Sequence, residues 1–155
     1  MNVLIVEDND SKYDDLRKTS EALGWTILRA ASFTSALRQL TENDISWKGM
    51  ILDISIPTYD LIANQQDGSQ RNFGGREILR TLSSLGLSIP TIVVSGFESF
   101  EDDMGLVQFE RLVEDLRNIP QSPIVCGVQY SAFSDAWRSK VIEALKSIEK
   151  MGELK

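Results

Sequence analysis

Three acidic residues follow the first apolar run of the chain within four positions. The sequence opens MNVLIVEDND, so Glu7, Asp8 and Asp10 come directly after the apolar residues 3–6. Adjacent carboxylates repel one another, and each is costly to desolvate without a partner. Two interpretations are open at this point. Either the acids lie in solvent at a helix start, where the helix dipole favours negative charge, or they bind a cation.

The composition narrows the chemistry that these acids can perform. The chain of 155 residues has no histidine, which excludes Ser-His and Cys-His nucleophiles and histidine-ligated metals. A bound metal is therefore expected to be a hard ion on oxygen ligands. The net charge is −7 with Lys and Arg scattered along the chain, which argues against nucleic acid binding.

Cysteine content and hydropathy predict a cytoplasmic location. The single cysteine, Cys126, cannot form an internal disulfide, and its apolar neighbours favour a role in the core. No apolar run is long enough to span a membrane, and no signal peptide is recognisable. We therefore expect a cytoplasmic protein without membrane association.

Short apolar runs alternate with segments of helical periodicity. The runs lie at 3–6, 26–30, 50–54, 91–94 and 123–128, and three of them are nearly continuous, as strands buried on both faces should be. The order βαβαβαβαβα predicts a parallel sheet with right-handed crossovers and helices on both faces. The length predicts a single domain over 1–155.

Polar residues fall where the carboxyl ends of these strands should meet. Glu7 and Asp8 follow the first strand, Asp53 ends the third and Ser95 follows the fourth. Open parallel sheets bind ligands at this edge. Asp53 alone is equally well explained as an acid that caps a neighbouring backbone amide. The convergence of all four residues favours a cation site.

Further motifs accompany these residues in a recognisable order. Pro57 lies four positions after Asp53, Gly-Gly-x-Glu-Ile-Leu-Arg spans 74–80, and Ile-Pro precedes the fourth strand at 89–90. With these motifs, most of the chain resembles the receiver domain (CheY-like) of two-component response regulators. The resemblance implies an α/β flavodoxin-like (βα)5 fold, a doubly wound parallel sheet with strand order 2-1-3-4-5.

The resemblance also implies a role for each site residue. Glu7 and Asp8 would hold Mg²⁺ or Mn²⁺, partly through water, and the backbone carbonyl of Ser55 would be a further ligand. Asp53 would be both metal ligand and phosphoryl acceptor, and Ser95 would hydrogen-bond the phosphoryl group. The chemistry is consistent, because a carboxylate can attack phosphorus once a cation neutralises the charge that develops.

One expected residue is missing. Receivers normally carry a lysine at the end of their fifth strand, but here that region reads CGVQYSAF at 126–133. The equivalent position is Gln129 or Tyr130, and Tyr130 is the candidate replacement, able to donate a hydrogen bond but no charge. Lys140 lies two to three turns into the last helix, which is too far to substitute.

The connection after Asp53 is unusually long. Residues 57–73 exceed the usual loop of an α/β unit and leave from the edge that carries the acids. Asp60, Asp67 and Arg71 are within reach of the site or are ordinary loop residues, while Tyr59, Leu61 and Ile62 are apolar for a solvated loop. We predict that this loop covers the acidic pocket or forms part of a partner interface.

Three functions follow as hypotheses. The first is Mg²⁺-dependent phosphoryl acceptance on Asp53 that switches a protein partner, with a sensor histidine kinase as a donor and no enzymatic activity beyond gain and loss of that phosphoryl group. The second is a phosphorylation-independent pseudo-receiver acting as a protein-interaction module. The third is a Toprim-like or haloacid-dehalogenase-like (HAD) phosphoryl-transfer enzyme, disfavoured because Asp53-Ile54-Ser55 lacks the second acid of Asp-x-Asp. Homodimerisation is left open.

Overall fold

Five helices and seven strands make up the part of the chain that the structure describes. The computed structural model describes residues 1–42, 44–57, 74–97, 99–102, 105–119 and 122–153. In chain order the elements are β1 (Asn2–Val6), α1 (Asp10–Glu21), β2 (Thr26–Ala30), α2 (Phe33–Glu42), β3 (Trp47–Asp53), α3 (Gly74–Ser84), β4 (Thr91–Ser95), β5 (Ser99–Asp102), β6 (Gly105–Gln108), α4 (Phe109–Arg117), β7 (Ile124–Gln129) and α5 (Ala136–Glu153). The prediction for the loop at 57–73 falls outside the described residues after Pro57, and a single domain over 1–155 stays a prediction.

The central sheet is parallel throughout, with strand order β2-β1-β3-β4-β7. With the separate pair β5–β6 set aside, this is the predicted order 2-1-3-4-5, and the flavodoxin-like fold is confirmed. β1 and β3 are neighbours, with Val6 opposite Leu52, so the residues that follow β1 lie beside the end of β3. This adjacency brings the first acidic pair next to Asp53.

Alternate residues of the strands pack into two apolar cores, one on each face of the sheet. Leu4 and Val6 of β1 belong to the core that α2, α3 and α4 cover, while Val3 and Ile5 belong to the core under α1 and α5. All four side chains are fully buried. A strand buried on both faces therefore explains the continuous apolar runs in the sequence. Among the described residues, no helix is long and apolar enough to cross a membrane.

Two glycines allow α3 to begin directly against the end of β3. The backbone N–H of Gly75 donates to the carbonyl of Ile54 at 3.3 Å. A Cβ at Gly75 would lie 2.7 Å from both the carbonyl oxygen of Asp53 and the Cα of Ile54, and a Cβ at Gly74 would overlap the carbonyl of Ile56. The Gly-Gly motif is thus needed for a close backbone approach that fixes the chain just after Asp53.

A short antiparallel hairpin, β5–β6, separates β4 from α4 and was not predicted. Its strands have only four residues each, and Asp102 pairs with Gly105, which has a φ of 113°. The segment 98–103 carries four acids, which hide the alternation that would indicate a strand.

Replacing Gly75 by Ala should destabilise the fold. The added methyl group meets backbone atoms, which cannot move aside as a flexible side chain would, so we expect a loss of about 1–3 kcal/mol in the free energy of unfolding. Gly152→Ala is the matched control, because a Cβ there meets nothing within 4 Å. Chemical denaturation of both variants measures the effect, and equal stability would contradict the tight approach of α3 to β3.

Candidate functional site

Three carboxylates converge at the carboxyl edge of the sheet. Glu7 and Asp8 follow β1, and Asp53 is the last residue of β3. One carboxylate oxygen from each residue lies within 4.8 Å of the other two. Glu7 is 1% exposed and Asp53 5% exposed, whereas Asp8 is open to solvent. The structure therefore brings together the three acids that the sequence placed at this edge.

A lysine that the sequence analysis missed lies among these acids. The Nζ of Lys12 is 2.8 Å from Oε2 of Glu7 and 3.3 Å from Oδ2 of Asp53, and the lysine side chain is itself buried. Lys12 belongs to the first turn of α1, where the side chain of Asn9 caps the helix by accepting from the Lys12 N–H at 2.9 Å. The helix dipole disfavours a cation in this turn, so the two carboxylates must offset that penalty.

The remaining oxygens of the two buried acids are held by local hydrogen bonds. Oδ1 of Asp53 accepts from the N–H and the hydroxyl of Ser55 at 3.0 and 2.9 Å. Oε1 of Glu7 accepts from the N–H of Asn9 at 3.1 Å. Oε2 of Glu7 is buried, and its contact among the described residues is the charge-assisted one with the Lys12 ammonium at 2.8 Å. Three carboxylates whose oxygens lie within 4.8 Å of one another form the kind of oxygen donor set that a hard divalent ion prefers.

The pKa shifts of the site residues indicate that the acids outweigh the positive charge among them. Burial and the neighbouring Asp53 raise the pKa of Glu7 to about 8, despite the opposing effect of Lys12. Burial of part of its carboxylate, and then Asp53, also raise the pKa of Asp8. Burial acts to lower the pKa of Lys12, but Asp53 and Glu7 outweigh it and hold that pKa above its ordinary value. One lysine therefore does not fully compensate the three acids.

Arg29, near the end of β2, fixes the connection between β1 and α1. Its Nε donates to the backbone carbonyl of Glu7 at 3.1 Å, and its Nη2 donates to that of Asp8 at 3.3 Å. The same nitrogen pairs with Oδ1 of Asp10 at 2.9 Å. Arg29 lies inside a predicted strand, and nothing in the sequence pattern indicates that it binds these two carbonyls.

Ser95 and Tyr130 both form hydrogen bonds away from Asp53. The buried Ser95 hydroxyl accepts from the N–H of Phe97 at 3.0 Å and contacts the Phe97 carbonyl at 3.3 Å. The Tyr130 hydroxyl donates to Oδ2 of Asp15 at 2.6 Å. In the described residues the cationic contact to Asp53 comes from Lys12. The roles implied for Ser95, Tyr130 and the carbonyl of Ser55 stay predictions.

The Tyr130 ring lies beside Lys12 instead. Its centroid is 5.7 Å from Nζ of Lys12 and 5.1 Å from the centroid of the Trp137 ring. Burial and the hydrogen bond with Asp15 raise the pKa of Tyr130 to about 12, so the phenol stays protonated as a donor at neutral pH. The Tyr130 ring thus helps to enclose the Lys12 side chain, while the Tyr130 hydroxyl is hydrogen-bonded to Asp15 of α1.

The sequence contains a pattern that indicates the buried position of Lys12. Lys12, Leu16, Thr19 and Leu23 are spaced as one face of a helix, and the structure buries the first three. A lysine on an otherwise inward face, one turn after an acidic pair, is the pattern that would have identified it.

Comparison with solved structures identifies the fold. The chain superposes on a response regulator receiver protein from Pseudoalteromonas atlantica with a TM-score of 0.68 at 18% identity, covering 98% of this chain and 99% of that one. A CheY-like receiver domain protein from Methanospirillum hungatei gives a TM-score of 0.63 at 16% identity, covering 99% and 98%. The fold is that of a response regulator receiver domain, and the expected resemblance is confirmed.

Two relatives match over nearly the whole chain. The Detocs response regulatory protein DtcB of Enterobacter cloacae is 29% identical over 153 residues, covering 96% of this chain and 100% of its own. The uncharacterized protein y4jR of Sinorhizobium fredii is 28% identical over 155 residues, covering 97% and 100%. No family model matches the chain.

The raised pKa of Glu7 predicts a stability that depends on pH. Between about pH 4.5 and 8 the folded state retains a proton on Glu7 that the unfolded chain has released. The free energy of unfolding should therefore rise as the pH falls from 8 towards 5, with a slope of up to about 1.4 kcal/mol per pH unit from this group. Glu7→Gln should flatten the profile, and the exposed Glu114→Gln should not. Denaturation at several pH values, with equal slopes in all three proteins, would refute this assignment.

Lys12→Met should destabilise the protein without added metal. The substitution leaves Asp53 buried beside Glu7 without the cation that contacts it, and breaking a buried ion pair from one side costs about 3–5 kcal/mol. Lys18→Met is the control on the same helix, because Lys18 is exposed and its pair with Asp14 lies at the surface. The measurement is urea denaturation at pH 7.5. A loss no larger than that of the control would show that Lys12 does not stabilise the acidic cluster.

Proposed function

We propose that the chain is a signalling receiver in which Asp53 accepts a phosphoryl group with the help of Mg²⁺ or Mn²⁺, and that the modification switches binding to a protein partner. The observation that supports this most directly is the position of Asp53 at the end of β3, with oxygens of Glu7 and Asp8 within 4.8 Å. These three acids would hold the metal, which neutralises negative charge on the transferring group when bound.

The chain's own residues orient the nucleophile. Ser55 holds Oδ1 of Asp53 with two hydrogen bonds, which leaves Oδ2 as the oxygen turned towards the shared acidic centre. The Asp53 carboxylate attacks the phosphorus of a phosphohistidine or an acyl phosphate. A new O–P bond forms while the bond from phosphorus to the donor breaks, and the donor leaves with the electron pair. Asp53 then carries the phosphoryl group as an acyl phosphate.

The proposed partners are proteins. A sensor histidine kinase or another phosphorylated protein would be the donor, and a second protein would read the modified state. The name of the Enterobacter cloacae relative, a response regulatory protein, supports a signalling role. We propose a cytoplasmic protein with no nucleic acid partner, consistent with the net charge of −7.

A second candidate function is a phosphorylation-independent interaction module. It is favoured by two observations on the switch residues. Ser95 bonds to the turn at Phe97, and the Tyr130 hydroxyl bonds to Asp15. If the side chains of Ser95 and Tyr130 stay in these hydrogen bonds, the domain can bind a partner in a single conformation that does not depend on phosphorylation.

Phosphorylation with a small-molecule donor separates the two functions. Incubation with acetyl phosphate and Mg²⁺ should add one phosphoryl group to the wild-type protein and none to Asp53→Asn, as measured by intact-protein mass spectrometry with peptide mapping. The exposed Asp115→Asn is the control and should be labelled like the wild type. Absence of label together with absence of beryllium fluoride binding would favour the interaction module.

A further inference from the structure

We propose that Lys12 and a divalent cation compete for the same two carboxylates, so that the lysine head must leave the acidic cluster for the metal to bind. Lys12 would then act as a tethered cation that sets the metal affinity. The inference rests on the proposed metal-dependent function and identifies its regulation within the same site.

The distribution of contacts among the carboxylate oxygens supports competition. Asn9 engages one oxygen of Glu7, and Ser55 engages one oxygen of Asp53. The two oxygens left, Oε2 of Glu7 and Oδ2 of Asp53, are those that Nζ of Lys12 contacts at 2.8 and 3.3 Å. The two buried oxygens that Asn9 and Ser55 leave unengaged are therefore already shared with an ammonium group.

Both cations cannot use this pair of oxygens at once. Mg²⁺ binds oxygen at about 2.0–2.1 Å, so an ion on Oε2 and Oδ2 would lie within a few ångström of Nζ. Like charges at that separation repel strongly in a buried site. The Lys12 ammonium lies between the two buried oxygens and so occupies the position that a second cation would need.

The lysine can withdraw without unfolding the helix that carries it. Its backbone is fixed by the Asn9 cap, whereas the ammonium sits on four flexible methylenes. The cluster is also open on one side, where Asp8 reaches solvent. Movement of the side chain alone would exchange one cation for the other.

Metal titration tests the competition. In isothermal titration calorimetry, the affinity of Lys12→Met for Mn²⁺ should be at least about tenfold higher than that of the wild type, since a like charge has been removed from the site. Lys18→Met should bind as the wild type does, and Asp8→Ala should bind more weakly. If Lys12→Met and the wild type bind Mn²⁺ with equal affinity, the competition is wrong, although the metal site itself is not contradicted. Absence of binding in every protein would overturn both this inference and the proposed function.

Lysine footprinting gives a second test on the unmodified sequence, which holds even if Lys12→Met fails to fold. Acetylation by acetic anhydride, quantified by peptide mass spectrometry, should be slow at the buried Lys12 without metal and severalfold faster with saturating Mn²⁺. The exposed Lys18 should not change. If Lys12 stays protected at a Mn²⁺ concentration that calorimetry shows to be saturating, the lysine remains in place and the competition is wrong.

Discussion

The burial of one lysine between two carboxylates is the constraint on which the site depends. Glu7 and Asp53 are almost entirely removed from water, and within the described ranges of the chain Lys12 is the cation that contacts both. Burying an ion pair is itself expensive, and removing one partner is more so, because the other charge is then left uncompensated. The carboxyl edge of the sheet therefore holds its buried acids with a positive charge among them, and burial also raises the pKa of Glu7.

The elements around this cluster fix its members from several directions. The Asn9 cap sets where α1 begins and hence where Lys12 enters, and Arg29 holds the preceding connection through two backbone carbonyls. Ser55 orients the Asp53 carboxylate, and Gly75 lets α3 close on the chain behind it. The charges are thus positioned by the folded backbone before any ligand arrives, as an electrostatic site requires.

The cation comes from α1, although the resemblance to receiver domains implies a lysine at the end of the last strand. The two positions are far apart in sequence, yet both elements border the same edge of the sheet. Tyr130, which follows β7, lies beside Lys12 and bonds to Asp15 on the same helix. Among the described residues, the cationic contact to Asp53 thus comes from a different element, and the residue after the last strand bonds to that element.

Apolar periodicity predicted the strands and the helices, because nearly continuous apolar runs are typical of strands covered on both faces, whereas the order of the strands followed from the resemblance to receiver domains. The same periodicity also placed Glu7, Asp8 and Asp53 at one edge, since parallel strands end together. The hairpin β5–β6 was missed because its strands are short and acidic. Lys12 was missed because a lysine on an amphipathic helix is usually solvated, and only packing between elements distant in sequence decides which basic side chain reaches a buried carboxylate.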